Sequence, residues 1–370
     1  MTRASFSIIG AALLALASPT VSFADQAGAT QANELQTAIG STLSTKDVDR
    51  LITTLMGATD TPGVAVTVIN NGSPVYDKVF GVTHVKTGEK ITRSTTFEAA
   101  SLSKPLTGFL AMTFVEEGLL DLDTPLHQYL PNKDLEFDPR YRKITARHVL
   151  SHQTGLPNWR TDDPDKGLFF KFAPGEGFFY SGEGYEYLAD VLMHLAETDD
   201  AGLEALFQSR IANPLGMERT TFIAGGDVLC ERATPHRDGT PIRMKPEDPT
   251  FGAAYSVHSD ARDYARFAIG VLKGEILAPA TYETFLAPQQ SPIPADDPAR
   301  AIGLTDWALG FSVYDTPAGR VFTHGGNNPG YSSLVVIHPE RQWGAVVFTN
   351  ADQANDFLQG LVLKLAGFDQ

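Results

Sequence analysis

The chain has 370 residues, of which 42% are hydrophobic and 20% are charged, a composition typical of a globular protein with a full core. It carries 44 acidic residues against 29 basic ones, and the formal net charge of −15 argues against nucleic acid as a partner. The single cysteine, Cys230, excludes an internal disulfide and has no clustered metal ligands around it, so we expect a small buried side chain.

The N-terminus has the pattern of a secretory signal peptide. Arg3 forms a short positive region, an apolar run follows over Phe6–Ala17, and Ser22 and Ala24 are the small residues of a cleavage site. The apolar run is shorter than a bilayer span, so a cleaved signal is favoured over a membrane anchor. We therefore predict cleavage after Ala24 and a periplasmic or secreted protein without stable membrane insertion.

The predicted elements alternate between helices and strands near the two ends of the chain. A helix is expected over 46–57, a β-hairpin with strands over 64–69 and 75–80, and a helix over 106–117 that ends at Gly118. The middle is rich in Pro, Gly and Asp, with short helical segments over 145–153, 184–197, 203–211 and 261–272. Strand patterns return over 307–314, 320–323, 332–337 and 344–349, before an amphipathic helix over 354–365.

Strands at both ends and helices between them predict an α/β fold. We expect one antiparallel sheet built from both termini, with a mostly helical domain inserted into it. The predicted boundaries are a signal peptide over 1–24, a flexible lead over 25–45, a discontinuous α/β domain over 46–120 and 300–370, and a mostly helical domain over 121–299.

The segment Ala-Ala-Ser-Leu-Ser-Lys-Pro, residues 99–105, places a serine and a lysine three residues apart. Pro105 lacks an N–H group and is tolerated only in the first turn of a helix, so a helix begins close to Ser101. Ser101 and Lys104 then share one helix face, where a buried amine of lowered pKa can accept the serine proton. The alternative is a capping serine followed by a solvated lysine. The Ser-x-x-Lys pattern alone arises by chance roughly once in a chain of this length.

Two further segments carry polar side chains among glycines. In the segment over 174–182, Tyr180 lies just before a helix, and a neighbouring ammonium would favour its phenolate and make it a base. In His-Gly-Gly-Asn, residues 324–327, the glycines permit close approach, and the N–H of Asn327 on an exposed strand edge is a candidate oxyanion donor. The alternatives are a packed aromatic residue and a turn histidine beside a glycine loop.

The three segments together, in this order, resemble the motifs of serine β-lactamases and penicillin-binding proteins. The chain is similar to the branch that holds class C β-lactamases, DD-peptidases, D-aminopeptidases and esterases with a β-lactamase fold. The resemblance covers nearly the whole mature chain and includes the segments over 118–125, 144–157 and 343–350. It implies a β-lactamase-like α/β sandwich plus a helical domain, with the active site between them.

The resemblance also implies roles for individual residues. Ser101 would be the acyl-accepting nucleophile, Lys104 its base partner, and Tyr180 would assist proton transfer. The oxyanion hole would consist of the backbone N–H groups of Ser101 and Asn327. No metal or organic cofactor would be needed. The residues expected to bind the substrate are His324, Gly325, Gly326 and Asn327.

Two positions depart from the family pattern. Gly182 stands where a Tyr-x-Asn motif has asparagine, and it lacks the side-chain amide that would hold a substrate carbonyl or Lys104. His324 stands where the third motif has lysine, and a histidine with the ordinary pKa of about 6.5 is mostly neutral at pH 7. Should His324 contact a substrate carboxylate, affinity for acidic substrates should fall between about pH 6 and 8.

These observations predict an exported serine hydrolase that forms an acyl-enzyme on Ser101 and hydrolyses a small ester or amide. The alternative within enzymes is a DD-peptidase or β-lactamase acting on a peptidoglycan-like substrate. The alternative of another class is a catalytically idle protein that binds peptidoglycan fragments or a partner. His148 and His152 have the spacing of a zinc pair on one helix face, but Val149 replaces the glutamate of H-E-x-x-H, and a structural role is favoured.

Overall fold

Strands from two distant parts of the chain form the central sheet. The computed structural model describes residues 33–163, 165–246 and 248–367, and the predicted signal peptide lies outside them. The strands of the described residues are β1 (Glu34–Gln36), β2 (Thr42–Ser44), β3 (Gly63–Asn70), β4 (Ser73–His84), β5 (Glu89–Lys90), β6 (Phe97–Glu98), β7 (His236–Arg237), β8 (Thr240–Pro241), β9 (His258–Ser259), β10 (Leu304–Trp307), β11 (Ser312–Thr316), β12 (Gly319–Asn328), β13 (Tyr331–His338) and β14 (Trp343–Thr349).

Eight of these strands pair in the order β10-β11-β12-β13-β14-β3-β4-β5, and every neighbouring pair is antiparallel. The α/β fold with an antiparallel sheet built from both ends of the chain is therefore confirmed. The predicted hairpin is β3 and β4. The predicted strand over 307–314 is wrong, because it comprises the end of β10 and the start of β11. Gly310 turns the chain between them with φ +116°.

Helices pack on both faces of the sheet, α1 and α10 on one and α2 and α8 on the other. The helices of the described residues are α1 (Thr45–Ala58), α2 (Ser103–Glu116), α3 (Ala146–Leu150), α4 (Glu183–Leu195), α5 (Asp200–Phe207), α6 (Asn213–Leu215), α7 (Gly226–Cys230), α8 (Ala261–Lys273), α9 (Pro279–Leu286) and α10 (Asn355–Ala366). All eight residues of β3 are buried: its alternate valines Val64, Val66 and Val68 belong to the core with α1 and α10. Ala65 and Ile69 belong to the core that contains α2 and α8.

The start of the described chain differs from the predicted flexible lead. β1 and β2 form a two-stranded sheet there, and Leu35 is buried. The side chain of Asn70 accepts a hydrogen bond from Gln36 N at 2.8 Å and donates one to Gln36 O at 2.8 Å. Trp343 Nε1 donates to the same carbonyl at 3.0 Å. These contacts come from side chains far along the chain, which the local polar composition does not reveal.

Three smaller expectations are also corrected. Cys230 is exposed at the end of α7 rather than buried. The predicted helix over 145–153 is shorter, since α3 ends at Leu150, and His152 beyond it has φ +58°. His148 and His152 therefore do not lie on one helix face. None of the helices in the described residues has the length and apolarity needed to cross a bilayer.

Candidate active site

Ser101 lies in a 3-10 turn (Ala100–Leu102) immediately before α2, as the position of Pro105 predicts. The preceding Ala100 has φ +52°, a left-handed conformation that costs an L residue about 1–2 kcal/mol. The side chain of Ser103 holds this turn: its Oγ donates to Ala100 O at 2.7 Å and accepts from Val257 N at 3.0 Å. The turn that presents Ser101 is thus fixed by hydrogen bonds to a distant segment.

Lys104 is fully buried one turn into the helical region, beneath Ser101. Its Nζ donates to Ser101 Oγ at 3.2 Å and to Ala254 O at 2.9 Å. The same nitrogen lies 4.7 Å from the ring centroid of Tyr180 and 5.6 Å from that of Tyr185. The predicted proximity of the lysine amine to the serine hydroxyl is therefore present in the structure.

Burial lowers the pKa of Lys104 to about 7, and the nearby carboxylate of Glu186 opposes part of this shift. Burial likewise raises the pKa of Glu186 to about 7, while its hydrogen bond from Ala254 N and the charge of Lys104 act in the opposite direction. A lysine with a pKa near 7 is neutral often enough at neutral pH to accept a proton. Sequence reasoning missed Glu186; its signal is a place in the first turn of the helix that follows Tyr180.

Tyr180 contacts the serine but is not the phenolate that the sequence predicts. Burial raises the pKa of Tyr180 well above its ordinary value, and a side-chain hydrogen bond with Ser101 offsets only part of that rise. The desolvation of the phenol therefore outweighs its hydrogen bond with Ser101. With a pKa near 7, Lys104 is the readier proton acceptor of the two, and Tyr180 remains a protonated phenol.

His324 is buried behind the cleft and does not titrate between pH 6 and 8 as expected. Burial, followed by the charge of Lys104, lowers the pKa of His324 to about 3. Its Nδ1 lies 2.8 Å from Gly325 O, so this nitrogen carries the ring proton, since a carbonyl oxygen only accepts. Nε2 is buried without a hydrogen-bond partner among the described residues. The side chain is thus a neutral imidazole and supplies no cation for a substrate carboxylate.

His152 packs in an aromatic cluster that also contains Tyr180 and Trp307, and the sequence did not reveal this cluster. Its ring centroid lies 4.2 Å from that of Tyr180 and 4.8 Å from that of Trp307, and its Nδ1 accepts from Ser181 N at 3.0 Å. His148 instead forms a capping box with Thr145 at the start of α3. The structural role predicted for the histidine pair therefore separates into packing against Tyr180 and helix capping.

Gly326 brings β12 against the turn that holds Ser101. A Cβ at Gly326 would overlap both Ala99 O and Ser333 Oγ, and Ser333 Oγ itself donates to Ala99 O at 2.8 Å. A Cβ at Gly325 would meet only Ser333 O, at 3.9 Å, so this position leaves open space. The close approach expected of the glycines is therefore a property of Gly326.

The segment over 324–328 pairs with β13 alone, because β11 pairs with β12 only as far as Thr323. The predicted free strand edge is therefore present, and it faces the turn that holds Ser101. Asn327 is exposed and lines the same cleft as Ser101. A role for the N–H of Asn327 as an oxyanion donor stays a prediction.

Trp159 occupies the space that a side chain at position 182 would need. A Cβ on Gly182 would lie 2.8 Å from Cη2 of Trp159 and 2.9 Å from the carbonyl oxygen of Asn158. Gly182 N also donates to Asn158 O at 3.1 Å. The space in which the family motif has an amide side chain is therefore filled by Trp159 and the backbone of Asn158.

A cleft of about 590 Å³ opens at Ser101 and Tyr180, and Gly325, Gly326 and Asn327 line it. Lys104 and His324 lie buried behind it. A smaller cavity of about 310 Å³ has Glu186 in its wall. It shares this wall with three further acidic side chains, Asp134, Glu183 and Asp190.

The chain is similar to known proteins over most of its length. The family model described as Beta-lactamase matches residues 48–366. Penicillin-binding protein 4* of Bacillus subtilis is 24% identical over 342 residues, with 81% of this chain and 70% of that protein covered. Protein flp of Staphylococcus aureus is 22% identical over 328 residues, with 83% of this chain and 63% of that protein covered.

The structure of the D-alanine carboxypeptidase AmpC from Burkholderia cenocepacia has the same fold, with a TM-score of 0.71 and 21% identity. The superposition covers 88% of this chain and 100% of that one. The family match spans nearly all of the described residues, including the turn of Ser101 and the strand β12. This chain therefore belongs to the β-lactamase family of serine hydrolases.

Proposed function

We propose that this protein is an exported serine hydrolase that forms an acyl-enzyme on Ser101 and hydrolyses a small ester or amide. The observation that carries the proposal is the contact of a buried lysine with a strained serine turn: Lys104 Nζ lies 3.2 Å from Ser101 Oγ and has a pKa of about 7. Export rests on the signal-peptide pattern of the first 24 residues.

In the proposed reaction, neutral Lys104 takes the Ser101 proton while Oγ forms a bond to the carbonyl carbon. The carbonyl oxygen becomes an oxyanion held by the backbone N–H groups of Ser101 and Asn327. The carbonyl then re-forms and the bond to the leaving group breaks, with a proton passing to that group through Tyr180. Water attacks the acyl-enzyme in the same way and releases the acid.

The proposed preference for a neutral ester or amide rests on the two departures from the family pattern. His324 is uncharged, so it does not attract a free carboxylate as a lysine would. Gly182 has no amide side chain, and the ring of Trp159 stands in its place. The second candidate is a DD-peptidase or β-lactamase, since similar proteins are a penicillin-binding protein, a β-lactamase and a D-alanine carboxypeptidase.

Covalent labelling tests the reaction class. We expect a fluorophosphonate to add one adduct mass to the native protein and none to Ser101→Ala, with Ser94→Ala, a half-buried serine before the turn, as the matched control. Turnover of p-nitrophenyl acetate without nitrocefin turnover supports the esterase assignment, whereas the reverse supports the second candidate. Absence of any adduct, where a known relative labels, would indicate a catalytically idle binding protein.

A further inference from the structure

The cleft at Ser101 continues far beyond the space around the nucleophile. From Ser101 and Tyr180 it runs along β11, β12 and β13 to α10, where Leu358 and Val362 line it. Its volume of about 590 Å³ lies within the range of about 300–1,000 Å³ typical of ligand sites. We call the part beyond the nucleophile, between β11–β13 and α10, the apolar groove.

The floor of the apolar groove is one face of the sheet. Successive side chains of a strand point to opposite faces, so Val321, Thr323 and Gly325 of β12 share the groove face. Leu334 and Val336 extend that face on β13. Gly325 lies nearest the catalytic end, and its open Cβ position leaves the passage from Ser101 into the groove unobstructed.

The opposite wall is the C-terminal helix. Leu358 and Val362 are four residues apart on α10 and therefore lie on one helix face, directed at the groove. Ile302, which is 56% exposed, adds a further aliphatic side chain. A ligand in this groove would thus contact aliphatic side chains on two sides.

The apolar groove holds no charge. Within the described residues, no Asp, Glu, Lys, Arg or His side chain lines the whole cleft, although the chain has a net charge of −15. A charged substrate group would lose hydration there without an ionic partner, whereas an aliphatic chain would gain from leaving water. The uncharged lining therefore favours substrates of the proposed hydrolase in which the part farthest from the reacting carbonyl is apolar.

We propose that the apolar groove binds an unbranched aliphatic chain of the substrate, so that the favoured substrates are esters or amides of medium chain length. This inference rests on the proposed function, because the chain must be attached to the carbonyl that Ser101 attacks. The chain can belong to the acyl part or to the leaving group, and both present the same methylene surface to the groove.

Chain-length profiles test the proposal. We expect kcat/KM to rise about fourfold per added methylene up to the end of the groove, which corresponds to about 0.8 kcal/mol per buried CH₂. p-Nitrophenyl esters of acids with two to ten carbons report an acyl chain, and alkyl acetates of the same lengths report a leaving-group chain. A rise in either series supports the proposal and identifies the part that binds, and a flat profile in both overturns it.

Variants place the chain in the groove. Val362→Trp fills the groove and Leu334→Gln makes its floor polar, and each should flatten the rising series, so that kcat/KM no longer increases with chain length. Leu119→Trp, at an exposed leucine that does not line the cleft, is the matched control and should keep the slope. A slope that survives both Val362→Trp and Leu334→Gln places the chain elsewhere and overturns the proposal.

A binding measurement separates this inference from the proposed chemistry. Ser101→Ala should bind the neutral apolar dye N-phenyl-1-naphthylamine, and 1-octanol should displace the dye at far lower concentration than ethanol. Adding Val362→Trp to this variant should abolish the binding. If the labelling experiment fails but this binding is present, the groove stands and the hydrolase proposal falls; if binding is absent as well, both fall.

Discussion

The cleft at Ser101 and the smaller cavity beside Glu186 differ in the charged side chains that line them. The cleft has no ionisable acid or base in its wall apart from the phenols of Tyr180 and Tyr314, among the residues described. The smaller cavity has four acidic side chains together with Lys133 and Arg160, and the guanidinium of Arg160 lies 2.9 Å from Asp134 and 2.8 Å from Glu183. Charged side chains therefore line the smaller cavity, whereas, in the described part of the chain, none lines the cleft in which we propose that the reaction occurs.

The two regions meet at Ala254. Lys104 Nζ donates to Ala254 O, and Ala254 N donates to Glu186 Oε1, so one residue of the loop joins the proposed base to the acidic cavity. The amine is dry enough to lose its proton near pH 7, and the carboxylate beyond the loop limits how far its pKa falls. Burial therefore lowers the pKa of the proposed base, and the carboxylate of Glu186 in the wall of the acidic cavity opposes part of that shift.

The largest expected effect is the removal of the buried amine. Lys104→Met should lower kcat/KM for the preferred ester by about 10³-fold or more, because proton transfer and the contact with Ser101 are lost together. The matched control is Lys171→Met. Lys171 also lies over an aromatic ring, with its Nζ 4.5 Å from the centroid of Phe179, but its side chain is exposed.

Steady-state kinetics on the two variants compares the loss of a buried lysine with the loss of a solvent-exposed one. The control should retain its rate to within about twofold. Equal losses in Lys104→Met and Lys171→Met would contradict a special role for burial. A native rate in Lys104→Met would remove the lysine from the mechanism, and circular dichroism checks that the variant is folded.

A smaller loss is expected when the phenol beside the serine is removed. Tyr180→Phe should reduce kcat by about 10²-fold, since the ring and its packing stay while the proton-carrying hydroxyl is lost. Tyr187→Phe is the control from the acidic cavity. Its hydroxyl donates to Leu130 O at 2.7 Å, so the loss should cost about 1 kcal/mol of stability and leave kcat unchanged.

Comparison of kcat and the melting temperature for the two variants distinguishes catalysis from folding. If Tyr180→Phe keeps its rate, Tyr180 is a packed aromatic residue, which is the alternative that the sequence left open. If Tyr187→Phe loses as much rate as Tyr180→Phe, the two cavities are not functionally distinct.

The sequence predicted the parts of the site that local rules govern. Pro105 fixed the start of the helix, and the three-residue spacing brought Lys104 to Ser101, since both constraints act within one turn. The sheet followed from strand patterns with strong periodicity, such as β3, β13 and β14. These elements needed no knowledge of distant contacts.

The features that the sequence did not predict depend on residues far apart in the chain. The left-handed Ala100 is held through Ser103 by Val257. The charge of Glu186 acts on Lys104, and Ala254 forms a hydrogen bond with each of them. The shifted pKa values of Tyr180 and His324 arise from desolvation, which is set by everything packed around a group rather than by its neighbours in sequence. Such effects require the assembled fold.

A substitution at the boundary of the two regions should have an intermediate effect, and this effect is on stability. Gly182 lies between Tyr180, which lines the cleft, and Glu183, which lines the acidic cavity. Gly182→Asn should destabilise the protein by about 1–3 kcal/mol, because the new side chain would overlap Trp159 and Asn158 O. Urea unfolding measures the loss.

Trp159→Ala provides the space and is the partner change for a double-mutant cycle. The double variant should be more stable than the sum of the two single changes indicates. Additive losses would show that Trp159 does not occupy the side-chain space of position 182.

The smallest expected effect is a shift in pH dependence. The acidic limb of kcat/KM should lie near pH 7, because the rate requires Lys104 without its proton. The carboxylate of Glu186 favours the lysine ammonium, so its removal in Glu186→Gln lowers the pKa of Lys104 further. The limb should therefore move to lower pH, by up to about one pH unit.

Asp134→Asn, in the same cavity wall, is the matched control. Asp134 is exposed and is not among the charges that act on Lys104 or on Glu186, so its neutralisation should leave the limb in place. Equal shifts in Glu186→Gln and Asp134→Asn would mean that the whole field of the cavity acts, rather than the one carboxylate joined to Lys104 through Ala254. A shift of the limb to higher pH in Glu186→Gln would reverse the assigned sign and break the electrostatic link between the two regions.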